Sequence, residues 1–276
     1  AAGRARIPSV VTSLAAAAKS DDVDDRRSVA SVLAAHPGSA PALALARSLT
    51  ADSDATVRAE ATFALGSIGD TSTLPLLVGL ARGGDADVAT NAAGAIARIG
   101  RRAAGTSTSS PAGAPNPIAD AVCPMLADGR ATVRANALAA LAGVKRRCGD
   151  GRAERKLLAE DASDLVRGSA ARALVASTLP EDRPVLERCS AADRSAEVAR
   201  LCRPRTTTTT NAPERTHAVV IYVVGEGAVA TARPRAPFLL EYEDGILRAG
   251  VADRRGATFD PAAPAGEVAL RRPPSP

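Results

Sequence analysis

The sequence predicts a mainly α-helical protein, a solenoid of about six paired helices, followed by a small antiparallel β domain. Three observations lead there. One apolar face recurs, position by position, on successive helical segments up to residue 203. Hydrophobic residues make up 46% of the 276 residues while aromatics make up 2%, so alanine and leucine carry the core. Small side chains of high helix propensity let helices approach closely and suit thin stacked layers better than one large globular core. After residue 216 the pattern changes to β-branched runs broken by turn residues.

The repeat is clearest in the second helix of each pair. Val57, Ala61, Ala64, Leu65 and Ile68 lie at the spacing of one α-helical face. Val88, Ala92, Ala95, Ile96 and Ile99 repeat it, as do Val133, Ala137, Ala140, Leu141 and Val144. Val166, Ala170, Ala173 and Leu174 give a fourth copy, and Arg27 and Val198 mark weaker copies near the ends, where capping repeats depart from the pattern. An apolar helix precedes each, as at 41–49, 74–80 and 118–126, with further first helices at 10–18, 153–159 and 184–189. Gly66, Gly69-Asp70 and Gly100 punctuate the ends of second helices, and Gly83-Gly84-Asp85 separates a first helix from a second.

The string from Val57-Arg58 through Leu65-Gly66 and Ile68-Gly69-Asp70, followed by Leu74 and Leu77, resembles the HEAT-like repeat of the phycobilisome-lyase type. The resemblance covers residues 7–203. It implies a right-handed α-solenoid whose concave face binds proteins, and it says little of activity, since one fold serves many functions. The bilin lyases that share the repeat supply an enzyme alternative.

The positions that stand out are regular ones. Arg58, Arg134 and Arg167 are equivalent in the repeat, with Ala89 and Ala199 interrupting the series, and Asp54 and Asp85 lie four residues before their repeat's Arg or Ala. In the structural reading each Asp caps a helix and each Arg bonds a neighbouring turn. In the functional reading they form a ladder for an acidic partner. Arg101-Arg102 and Lys145-Arg146-Arg147 end two second helices, where basic residues suit the helix dipole or form a basic edge for an anionic surface. His36 and His217 stand apart from any catalytic or metal-ligating spacing, and no cofactor site is read.

Cys123 and Cys148 fall within one helix pair, and Cys189 and Cys202 within the last, which predicts two disulfides and an oxidising compartment. A Cys148–Cys189 pairing is the open alternative, and a cytoplasmic protein with free thiols is the rival. The chain begins at Ala1 without a leader pattern, as expected of a processed protein or a piece of a longer one. No apolar run approaches the ~20 residues of a membrane span. The net charge of +5 permits nucleic-acid contact without arguing for it.

Residues 101–116, rich in Ser, Thr, Ala and Pro, read as a flexible insertion; 204–216, with Thr206 to Thr210, as a Thr/Pro-rich linker; 273–276 as a disordered tail. Residues 217–272 read as five or six strands, and their turn rhythm resembles carboxypeptidase-regulatory and transthyretin-like sandwich modules. The function expected is therefore non-catalytic: a protein-binding or scaffolding module in an extracytoplasmic bacterial assembly, acting through the solenoid surface. A nucleic-acid or anionic-surface binder is the alternative class.

Overall fold

In a computed structural model the described residues are 7–106, 115–177, 179–203, 216–224 and 231–271. First helices and second helices alternate. The first set is α1 (Ile7–Ala17), α3 (Ala40–Leu49), α5 (Leu74–Arg82), α7 (Pro117–Val122), α9 (Arg152–Glu160) and α11 (Arg183–Ala192). The second set is α2 (Val23–Leu33), α4 (Ala55–Ile68), α6 (Ala86–Thr106), α8 (Ala131–Val144), α10 (Asp164–Ser177) and α12 (Ala196–Leu201). Each second helix packs on the next, α2 through α12, and on its own first helix, which is the stacking a solenoid requires.

Local chemistry sets the boundaries. Asp22, Ser39, Asp54, Asn116 and Ser195 accept hydrogen bonds from the first free amides of α2, α3, α4, α7 and α12. Proline occupies the first turn of α3, α5, α7 and α11, where no amide donor is needed. Gly66 and Gly100 lie inside α4 and α6 rather than after them. A Cβ on Gly66 would sit 2.8 Å from the Ala95 Cα, so glycine there lets two second helices touch backbone to backbone.

Five antiparallel strands follow: β1 (Thr216–Tyr222), β2 (Pro237–Tyr242), β3 (Leu247–Val251), β4 (Ala257–Pro264) and β5 (Val268–Arg271). β1 pairs with β4, and β2 lies between β3 and β5. The β2–β3 turn uses Gly245 at φ 82°, a conformation costly for other residues. Val223, Phe238, Leu240 and Ala252 form a small cluster between the two sheets. Leu239, Tyr242, Ile246, Leu247, Ala249 and Ala263, however, join the core of the helices. The strands thus complete the helical core instead of closing one of their own. They lie along the second helices, with contacts from Arg27 of α2 to Glu197 of α12.

Two boundaries differ from the sequence reading. The insertion does not start at residue 101: α6 continues to Thr106, because Arg102 donates to the carbonyls of Gly66 (2.6 Å) and Gly69 (2.7 Å) and Arg101 pairs with Asp244. Asn116, at the other end of that stretch, caps α7. Residues 107–114, 204–215 and 272–276 lie outside the described residues.

Cys123 bonds Cys148 and Cys189 bonds Cys202, with Cα–Cα distances of 5.5 and 6.0 Å. α8 ends at Val144, and the left-handed Lys145 turns the chain so that Cys148 returns to the first helix of its pair. The second bridge closes the last helix pair, which no further helix pair covers among the described residues. Replacing Cys189 and Cys202 together by alanine is expected to lower unfolding stability by about 3 kcal/mol, the loop-closure value for a loop of this order. Urea unfolding measures it, and an unchanged midpoint would refute the bridge's role.

Candidate functional site

The repeat ladder is built first. Arg58 pairs with Asp85 (3.1 Å), Arg134 with Asp161 (2.8 Å) and Arg167 with Asp193 (2.9 Å). Each guanidinium also donates to carbonyls five and six residues before it, tying its own inter-helix turn to the next one. Asp54 and Asp85 accept backbone amides at the starts of α4 and α6. The first rung is Arg26, paired with Asp52 at 2.8 Å. The register read at Arg27 is therefore one residue late, because the turn residues rather than the weak apolar pattern of α2 define the copy. Where Ala89 leaves a rung empty, Arg130 reaches back to the carbonyls of Ala81 (2.6 Å) and Gly83 (2.7 Å). Bonds to Arg26 and Arg167 hold Asp52 and Asp193 below the usual carboxylate range.

The second feature is the face of the second helices turned away from the first helices. At one repeat position, three residues after the leading valine, stand Glu60, Asn91 and Asn136. Asn91 donates to the Ala249 carbonyl and accepts the Ala249 amide, both at 2.9 Å. Asn136 does the same to Leu247, at 3.0 and 2.7 Å. Each amide also donates to the preceding second helix, at Ala59 or Thr90. A carboxamide carries both a donor and an acceptor, so it reads one N–H and C=O pair as a neighbouring strand would. The free edge of β3 is thereby satisfied at alternate residues without a further strand. Arg27 continues the series by donating to the carbonyls of Val251 and Ala252.

Side-chain recognition adds to backbone recognition. Arg248, between the two clamped residues, is fully buried and binds both Glu60 oxygens at 2.7 and 3.0 Å. Its guanidinium lies 3.7 Å from the Phe63 ring centroid. Arg98 pairs with buried Asp260 at 2.9 Å, and the Tyr242 hydroxyl donates to the same carboxylate at 2.6 Å. Burial alone would raise the Asp260 pKa, but Arg98 and Arg248 outweigh it and keep the carboxyl below its ordinary value. Burial and the Asp260 charge push the Tyr242 phenol upward. Paired, hydrogen-bonded charges of this kind specify one docking geometry, whereas an apolar seam would tolerate several. At the far end Arg172 and Arg271 both bind Glu241, and Arg271 also binds Glu197.

The structure thus separates two sets of residues. Asp54, Arg58, Asp85, Arg134 and Arg167 lie on the turn ladder, away from the strand-holding face. Glu60, Asn91, Arg98 and Asn136 form that face, and Arg248 of β3 is the strand residue seated in it. A polar residue recurring inside an otherwise apolar helix was the available signal. Of the basic residues read as helix ends, Arg101 pairs with Asp244, Arg102 bonds carbonyls and Arg147 pairs with Asp182, whereas Lys145 is exposed. Among the described residues there is no cluster of three metal-ligating side chains, and no helix is long and apolar enough to cross a membrane.

Residues 41–107 match the family model for HEAT repeats. No curated protein matches the sequence at a significant level. Similar solved structures include an engineered protein at 22% identity, over 70% of this chain and 93% of that one, with a TM-score of 0.49. The complex of CpcE and CpcF of phycocyanin lyase from Nostoc sp. PCC7120 is 18% identical over 63% of this chain and 99% of that one, with a TM-score of 0.43. Human deoxyhypusine hydroxylase in complex with glycerol is 20% identical over 70% and 81%, with a TM-score of 0.31. None of these likenesses says what this chain does. With the family match at 41–107 and equivalent helix pairs before and after it, residues 7–201 are a HEAT-like repeat solenoid.

Proposed function

We propose that this chain is a non-catalytic protein-binding or scaffolding module of an extracytoplasmic assembly. One observation carries the reading: the second-helix face recognises an extended polypeptide, reading its backbone through Asn91 and Asn136 and its side chain through Glu60. That is the chemistry of protein recognition, applied here to the chain's own C-terminal strands. Those strands cover the face, so partner contacts fall on what remains exposed, the ridge of first helices and the outer side of the strands. The two disulfides support an oxidising compartment.

The test is photo-cross-linking of the full chain in its source cells. Probes go at exposed Ala44, Gly79 and Arg188 on first helices and at Tyr222 on β1. Discrete protein adducts are expected at one or more positions. Their absence at all four would reject the protein-binding reading. Four reactive thiols under denaturing, non-reducing conditions would reject the extracytoplasmic one.

A further inference from the structure

Among the described residues the exposed large apolar side chains gather around β1, with Leu179 and Leu270 standing apart. Val220, Tyr222 and Val224, alternate residues running out of β1, are 56%, 57% and 43% exposed. Val32 of α2 is 36% exposed and lines the same groove of about 360 Å³ as Val220, Tyr222 and Phe259. Single exposed apolar residues are ordinary, but a contiguous group beside an open strand edge marks an interaction surface.

β1 is such an edge. Among the described residues it pairs with β4 alone. The Val223 amide donates to Gly256, and its carbonyl accepts from Arg233, so both its backbone groups face the β4 side. Alternate residues of an antiparallel strand face opposite edges, so Val220 and Tyr222 turn their N–H and C=O groups outward. Edges left open are normally guarded by charge or proline. No Asp, Glu, Lys, Arg or Pro occurs from Thr216 to Val224. By contrast, the β3 edge is closed by Asn91 and Asn136, and the β5 edge carries Arg271.

Charge says what would fit. Arg233 and Arg255, both exposed, flank Gly256 at the C-terminal end of β1, and Arg255 lines the groove. The carboxylates nearby are already engaged: Asp253 accepts the turn amides of Arg255 and Ala257, and Asp24 binds Arg235 and Arg254. We infer that the outer edge of β1 takes an extended segment of a partner protein, apolar at alternate positions and acidic at the end beside Arg233 and Arg255. An antiparallel segment adds main-chain bonds to Val220 and Tyr222 and places its apolar side chains over Val32 and Tyr222.

This inference rests on the protein-binding reading above and is tested separately from it. The probe is a fluorescent nonapeptide with valine at alternate positions, threonine between them and two aspartates at its N-terminal end; the control carries two lysines instead. Anisotropy with the full chain is expected to show the acidic peptide binding at least 10-fold more tightly than the control. Val220→Lys, at an exposed site, is expected to abolish binding with the thermal midpoint unchanged. Arg255→Glu is expected to weaken the acidic peptide and improve the lysine one. Equal affinity for both peptides, no binding of either, or full binding by Val220→Lys would overturn the inference. So would a concentration-dependent dimer of the wild type that Val220→Lys dissolves, since the edge would then belong to a second copy. Loss of peptide binding with cross-links retained at Ala44, Gly79 or Arg188 sinks the inference alone, whereas no cross-link anywhere sinks both.

Discussion

Arg248→Ala is expected to cost about 3–5 kcal/mol of unfolding stability, because it strands the Glu60 carboxylate in a closed interior. Glu60 takes both of its bonds from Arg248 at the point where α4 meets β3, and Phe63 stacks on the same guanidinium. Removing the cation leaves a buried charge without a partner and a cavity beside an aromatic ring. Denaturant unfolding under non-reducing conditions measures the effect. The loss comes from the orphaned charge, not from the net worth of the pair. Replacing both partners, Glu60→Leu with Arg248→Met, is therefore expected to recover most of it. A single-variant loss below about 1 kcal/mol would show that water reaches the site and that the strands are not seated as described. A double variant no better than the single would show that packing, not charge, dominates.

The second large effect is expected at Asn136. Its carboxamide answers the amide and carbonyl of Leu247 and a carbonyl of α6, all buried. Asn136→Ala leaves the Leu247 amide and carbonyl without partners, each worth about 1–3 kcal/mol when buried and unsatisfied, while the Thr90 carbonyl keeps its place in the α6 helix ladder. A total near 3 kcal/mol is expected, because the strand will shift and let water reach some of them. Gly94 provides an independent approach to the same seam. A Cβ there would lie 2.9 Å from the Leu247 carbonyl oxygen and 3.1 Å from the Asn136 amide nitrogen. Gly94→Val should push β3 off the helix face and break the same clamp without removing a hydrogen-bonding group. Both variants are expected to speed amide hydrogen exchange at Leu247 and Ala249 while leaving α10 protected. Uniform acceleration over the whole chain would show instead that helices and strands unfold as one unit.

Particular residues show how much of this was legible beforehand. Val57, Ala61, Ala64, Leu65 and Ile68, recurring in later repeats, place the second helices correctly. Each repeat meets the same neighbour on either side, so its apolar face is written again in each copy. Asp54, Arg58, Asp85, Arg134 and Arg167 stand out by the same regularity, but the ladder partners Asp161 and Asp193 do not, and the choice between a turn contact and a partner contact is not written in the period. Glu60, Asn91 and Asn136 also share one repeat position, yet nothing in the sequence points to their role. Their partners are Arg248, Ala249 and Leu247, more than a hundred residues away, and a backbone partner leaves no trace in side-chain pattern. Helices α4 and α8 are covered on both faces, which blurs the one-sided periodicity a sequence reading depends on.

By itself, then, the order of residues determined the paired helices, the regular Arg and Asp positions of their turns and the change to strands after residue 216. Each of these depends on neighbours at a short or regular separation. Only tertiary structure decided that the strands lie along the second helices, close over a buried Arg248–Glu60 pair and, among the described residues, leave one edge of β1 unpaired. Those outcomes depend on groups brought together once, at unrelated positions, by the course of the whole chain, and no local period encodes such a meeting.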